Sequence, residues 1–153
     1  MKAADIPAVR ESAERSFASG LFCAESVVRA IAEAQGVESE LIPKMATGFC
    51  SGMSRTCGTC GALTGGIMGV GMVLGRASSK ESAQPAYEAT QQLIREFEKE
   101  FGSRDCMALL DGCDLGTPEG QATFIRTGLA ARCVRFTGAA AEMAARVIAN
   151  ESC

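Results

Sequence analysis

Histidine and tryptophan are absent from this chain, and tyrosine occurs once. Without imidazole there is no Ser-His or Cys-His nucleophile pair, no mixed cysteine-histidine zinc finger and no histidine-ligated haem. The Cys-x-x-Cys-His attachment sequence is missing too, so no c-type haem is expected. Lysine and arginine (15) are fewer than aspartate and glutamate (18). That balance lacks the basic stripe needed to neutralise phosphates, so neither nucleic acid nor an anionic membrane surface is an expected partner. Aromatic residues are only 5% of the chain, against 17 glycines and many alanines, a composition for close-packed helices rather than a β-sandwich.

A long apolar leader is also lacking. Residues 1–16 mix Lys2, Arg10 and Arg15 with Asp5, Glu11 and Glu14, which breaks the continuous apolar core of a secretory signal and makes the cytoplasm the expected location. With 153 residues, 47% of them hydrophobic, and no repeat or linker, residues 1–153 read as a single helical, cysteine-rich redox or metal-binding domain. What is present in excess is sulfur, with eight cysteines. In a reducing compartment clustered cysteines act as metal ligands or redox thiols rather than as staples.

Apolar residues recur at helical spacing almost throughout. Ile6, Val9, Ala13 and Phe17 form one stripe; after Ser19-Gly20 a second holds Cys23, Val27, Ile31 and Ala34, closed by Gly36 as a C′ residue. Leu41 to Met45 reads as a short helical piece, and 47–56 as a glycine- and serine-rich loop. Ser78 or Ser79 is expected to cap a helix bearing Ala83, Tyr87, Thr90, Ile94, Phe97 and Phe101, and Ser103 a shorter one presenting Cys106, Leu109, Leu110 and Cys113. Thr117-Pro118-Glu119 is a helix start, followed by a stripe of Ala122, Ile125, Leu129, Cys133, Phe136, Ala140, Met143 and Val147 that Gly128 and Thr137-Gly138 can divide. Residues 150–153 read as a frayed tail. The expected fold is all-α, a compact bundle of five or six helices.

Its centre is the uncharged run between Arg55 and Arg76, in which seven glycines separate Leu63, Ile67, Met68, Val70, Met72, Val73 and Leu74. Gly61, Gly65 and Gly69 form the small-xxx-small pattern of transmembrane helices. The run is nevertheless only moderately hydrophobic, and a central buried helix is the better reading. Each glycine costs about 1 kcal/mol of helix propensity, which close packing must offset. The small faces of Gly61, Gly65, Gly69 and Gly75 also suit a homodimer.

Cys57-x-x-Cys60 heads this run. At a helix start its thiolates gain from the helix dipole, which suits ligation and redox chemistry alike. Cys23, Cys60, Cys106 and Cys133 lie on four expected helices, each on the apolar side or at the start, as a thiolate cage assembled by folding requires. Cys50 and Cys57 can complete or replace members of that cage. Cys113 reads as packing, Cys153 as incidental, and the seven methionines as core.

These residues resemble the C_GCAxxG_C_C family of redox-active proteins. Phe22-Cys23-Ala24-Glu25-Ser26-Val27 is similar to its first cysteine block and Cys60-Gly61-Ala62-Leu63-Thr64-Gly65 to its central block, while Cys106 and Cys133 fit its last two cysteines by order and approximate spacing. The resemblance covers most of the chain and implies a small helical redox or metal domain. A similar domain in split-Soret cytochromes implies an iron-sulfur site and dimerisation; the accompanying haems do not transfer to a chain without histidine. The leading expectation is electron transfer or redox sensing through an iron-sulfur cluster on Cys23, Cys60, Cys106 and Cys133, served by a redox partner protein. Two alternatives stand beside it: a thiol-disulfide oxidoreductase using Cys57 and Cys60, and a non-catalytic module holding a structural zinc on four thiolates.

Overall fold

A computed structural model describes residues 5–151; Cys153 lies outside them. The first helix, α1 (Ile6–Ala18), carries Pro7 in its first turn, where a missing amide costs nothing, and buries Val9, Ala13 and Ser16. Then α2 (Cys23–Ala34) buries Val27, Ala30 and Ile31, with Gly36 at φ +70° just beyond its end. Ala34 is exposed rather than part of the stripe. The short α3 (Leu41–Ala46) runs through a 3-10 turn (Thr47–Phe49) into α4 (Cys50–Arg55).

This α4 is not an ordinary helical turn. Ser51, Gly52, Met53 and Ser54 have φ/ψ near +60°/+50°, and Arg55 follows at φ +66°. The chain therefore winds left-handed for one turn, a conformation that costs an L-residue about 1–2 kcal/mol. Hydrogen bonds from the Thr56 and Gly58 amides to the Gly52 carbonyl close it.

The glycine-rich run forms α5 (Gly61–Leu74), whose Gly61, Ala62, Leu63, Gly65, Gly66, Gly69 and Val70 are buried. It packs on α2, on α6 (Gln84–Phe101) and on α9 (Ala130–Glu151). Among the described residues, no helix is long and apolar enough to cross a membrane. The glycine face is occupied within the chain: a Cβ at Gly65 would lie 2.6 Å from the Ala24 carbonyl oxygen, and one at Gly69 would collide with Ile31. Of the face on which a homodimer was expected, Gly61, Gly65 and Gly69 are thus covered within the chain, while Gly75 is exposed.

Several expected boundaries move. Ser78 and Ser79 cap nothing; α6 starts at Gln84 with Pro85 in its first turn, and its buried line is Ala89, Leu93 and Phe97, with Tyr87 exposed. The reason is that proline fixes the first turn more firmly than a serine six residues upstream. Asp105, not Ser103, precedes α7 (Cys106–Leu109), which is too short to include Cys113. Thr117 caps α8 (Pro118–Arg126) by accepting from the Gly120 amide, but α8 buries no residue, and Ile125 is 79% exposed.

Gly128, at φ +67°, does separate α8 from α9. Thr137-Gly138 does not interrupt α9, because Gly138 stays helical and leaves space for the Glu14 carboxylate. The same helix extends to Glu151, so Asn150 and Glu151 belong to it and not to a tail. Packed on α1, α2, α5 and α6, α9 shares the centre of the bundle with α5. The architecture is all-α.

Glycine's two roles in α5 separate by substitution. Gly65→Ala should destabilise the fold by about 1–3 kcal/mol, because the Ala24 backbone has to yield. Gly71→Ala, with nothing within 4 Å of its Cβ, should instead stabilise by about 0.4–1 kcal/mol. Urea denaturation of both variants checks the opposite signs.

Candidate functional site

Cys23 is the first residue of α2, and its position is set by Glu25 one turn into that helix. The Glu25 carboxylate accepts from the Phe22 amide at 2.8 Å and from the Thr47 hydroxyl at 2.6 Å. One buried side chain therefore closes the start of α2 and ties it to the segment leading into α4. Without a side chain, Gly61 leaves the niche into which the Cys23 sulfur fits.

Cys60 and Cys106 are registered against each other by backbone pairing. Thr59 and Asp105 form an isolated antiparallel bridge, the Cys60 amide donates to the Arg104 carbonyl at 2.7 Å, and the Cys106 amide donates to the Gly58 carbonyl at 2.9 Å. The left-handed turn supports this bridge, since Gly52 is buried under it and a Cβ there would lie 2.6 Å from the Cys106 Cβ. Cys133 comes from the first turns of α9, held by the mutually edge-on rings of Phe97, Phe101 and Phe136.

All four of these cysteines line one cavity of about 350 Å³ at the N-terminus of α5. Its wall is mostly apolar, built by α1, α2, α7, α8 and α9, and Arg55 from the left-handed turn is the only charged side chain among the described residues that line it. No three cysteine or acidic groups among the described residues are close enough to grip a single metal ion.

Burial governs their protonation. Cys60 is pushed up to about 12 by desolvation, against which the amides of Ala62 and Leu63 pull at its sulfur, with Cys106 and Cys133 adding to the rise. Helix-start placement was expected to favour the thiolate; here the loss of water outweighs it. Cys133 is raised to about 12 and Cys106 to about 11, again first by desolvation and then by neighbouring cysteines. At neutral pH all three are thiols.

The remaining cysteines are placed differently. Cys57 does not line the cavity: it sits at φ +59° with its thiol 3.3 Å from Asp114 Oδ1, and that hydrogen bond raises its pKa. Cys50 is buried behind the wall, in hydrogen-bond contact with Cys23, and this contact together with burial raises its pKa strongly. Cys113 is a buried packing residue whose thiol meets the Gly120 carbonyl at 3.1 Å. The features missed by sequence reasoning are Glu25, Gly52 and Arg55; only Glu25, three residues after Phe22 at a helix start, carried a readable signal.

An all-α fold with cysteines from four segments facing one apolar cavity defines a helical, thiol-centred protein. The family described as Putative redox-active protein (C_GCAxxG_C_C) matches residues 21–147, and the chain belongs to it. It is accordingly a member of a redox-active protein family. Comparison with curated proteins and with solved structures finds no match.

The raised thiols carry a pH signature. The unfolded chain releases thiol protons near the ordinary value of about 8.5, before the folded chain does, so stability is fully present below that pH. It is lost as pH rises toward the folded values of about 11 to 12. Denaturation of the reduced, metal-free protein between neutral pH and the alkaline limit should show this decline, and Cys133→Ser should make it shallower.

Proposed function

We infer that the cavity holds an iron-sulfur cluster on Cys23, Cys60, Cys106 and Cys133, and that the protein serves electron transfer or redox sensing. The observation that carries this reading is the shared cavity: four cysteines from α2, the start of α5, α7 and α9 line the same mostly apolar space. A cluster inserts several iron and sulfide atoms between its thiolates, which suits cysteines arranged around a cavity wall. When bound, such a cluster exchanges electrons without rearranging its ligands.

The protein's own groups have defined tasks. Cys60 and Cys106 are held in register by the bridge between their segments, so two ligands are pre-positioned. The amides of Ala62 and Leu63 point at the Cys60 sulfur and favour its anionic form. Arg55 supplies positive charge at the wall, and the apolar lining excludes water from the thiolates. Because three of the thiols are protonated at neutral pH, ligation has to release their protons and strengthens with pH.

A Cys57–Cys60 dithiol receives less support, since only Cys60 reaches the cavity while Cys57 is hydrogen-bonded to Asp114 outside it. The electron donor or acceptor is a separate redox protein, and the proposed setting is the cytoplasm.

Anaerobic reconstitution with ferrous iron and sulfide should give a brown protein with broad visible absorbance. Serine at Cys23, Cys60, Cys106 or Cys133 should reduce bound iron and sulfide, whereas Cys57→Ser and Cys113→Ser should retain them. Colourless, iron-free protein after this treatment speaks against the cluster; zinc uptake without colour would favour the structural module.

A further inference from the structure

The cluster reading leaves Cys50 unused, although it is one of the most enclosed cysteines, 3% exposed. Its thiol lies 3.6 Å from the Ala46 carbonyl oxygen, and Cys23 packs against the small apolar cluster that Cys50 forms with Ala24, Val28 and Ala46. Gly61 provides the room, since a Cβ there would strike the Cys23 sulfur and lie 3.0 Å from the Cys50 Cα.

Access to the two sulfurs is unequal. Cys23 lines the cavity and is half-buried, while Cys50 is buried and is not part of that cavity's wall. A solute entering the cavity meets Cys23 and not the buried Cys50. This is the arrangement of an attacking thiol backed by a resolving thiol.

We propose that Cys23 and Cys50 form a reversible dithiol-disulfide pair, oxidised by small-molecule disulfides that enter the cavity, and that its closure withdraws Cys23 from the iron-sulfur ligand set. The withdrawal rests on the cluster reading; the pair does not. In the first step the Cys23 thiolate attacks a disulfide RSSR, forming a Cys23–SR mixed disulfide and releasing one thiolate. In the second, the Cys50 thiolate attacks the Cys23 sulfur, displacing the second. The protein loses two electrons and two protons, and RSSR becomes two RSH. A dithiol reductant reverses both steps. Under oxidising conditions the cavity then retains three thiols, so cluster occupancy follows the thiol-disulfide balance of its surroundings.

The test uses the full-length, metal-free, reduced protein incubated anaerobically with oxidised glutathione, quenched by alkylation and mapped by mass spectrometry. The expected product is a peptide pair linked through Cys23 and Cys50, with Cys60, Cys106 and Cys133 alkylated. Cys50→Ala should arrest the reaction at the Cys23–glutathione mixed disulfide, and Cys57→Ser, outside the cavity, should leave the linked pair intact with an unchanged circular dichroism spectrum. A dominant disulfide among Cys60, Cys106 and Cys133, or no Cys23–Cys50 link at oxidant levels that oxidise dithiothreitol, overturns the pair. If Cys50→Ala does not fold, the wild-type map still decides. Iron-loaded wild-type protein should form the link at least about tenfold more slowly than metal-free protein; equal rates overturn the withdrawal while leaving the pair standing. Failure of reconstitution with a linked Cys23–Cys50 product counts against the cluster alone.

Discussion

The close approach of α5 to α2 is the constraint on which the rest of the molecule depends. Where α5 begins, Gly61 has the Cys23 sulfur, the Cys50 backbone and the Phe49 carbonyl packed around it, and four residues on Gly65 meets the Ala24 backbone. A side chain at either place would push the helices apart. This contact aims the α5 N-terminus into the space between α2, α7 and α9, and so decides where a cavity can form. The helix propensity lost to glycine is compensated by burial of Leu63 and Val70 and by the contacts the bare backbone allows.

The second determinant is local strain. Four non-glycine residues between Ser51 and Arg55 hold positive φ, a run that an isolated peptide would abandon. It persists because the turn is tied at both ends: Ser54 donates to the Gly48 carbonyl at 2.8 Å, and the Gly58 amide reaches back to Gly52 at 2.9 Å. The turn presents Arg55 to the cavity and seats Gly52 beneath Cys106. Strained backbone concentrated beside a candidate site is the pattern expected where geometry serves function.

The bundle was legible in the sequence where periodicity is long and uninterrupted. Val9, Ala13, Val27, Ile31, Phe136, Ala140 and Val147 follow the 3.6-residue repeat and are buried. The arrival of Cys23, Cys60, Cys106 and Cys133 at one cavity has a sequence correlate too, since each sits at or near a helix start on an apolar side. Short-range signals were less reliable. Serine at 78, 79 and 103 resembles a cap, but Pro85 and the pairing of Thr59 with Asp105 set those boundaries. Nothing in composition announces a left-handed turn made of Ser, Met and Arg, because its causes are hydrogen bonds to residues outside it. The contact of Cys50 with Cys23 is equally hidden, depending on how a 3-10 turn folds onto α5. Ile125 misled because an apolar residue at helical spacing can face a cavity mouth as readily as a core.

Ile125 belongs to a helix that stands apart from the core. Because α8 contributes no buried side chain to the bundle, its departure would leave the core contacts of α1, α2, α5, α6 and α9 intact. Yet Gln121, Phe124 and Ile125 from this helix form part of the cavity wall. A helix that buries no residue of its own thus forms part of the wall around the thiols, so the core of the bundle and the cover of the cavity are built from different elements.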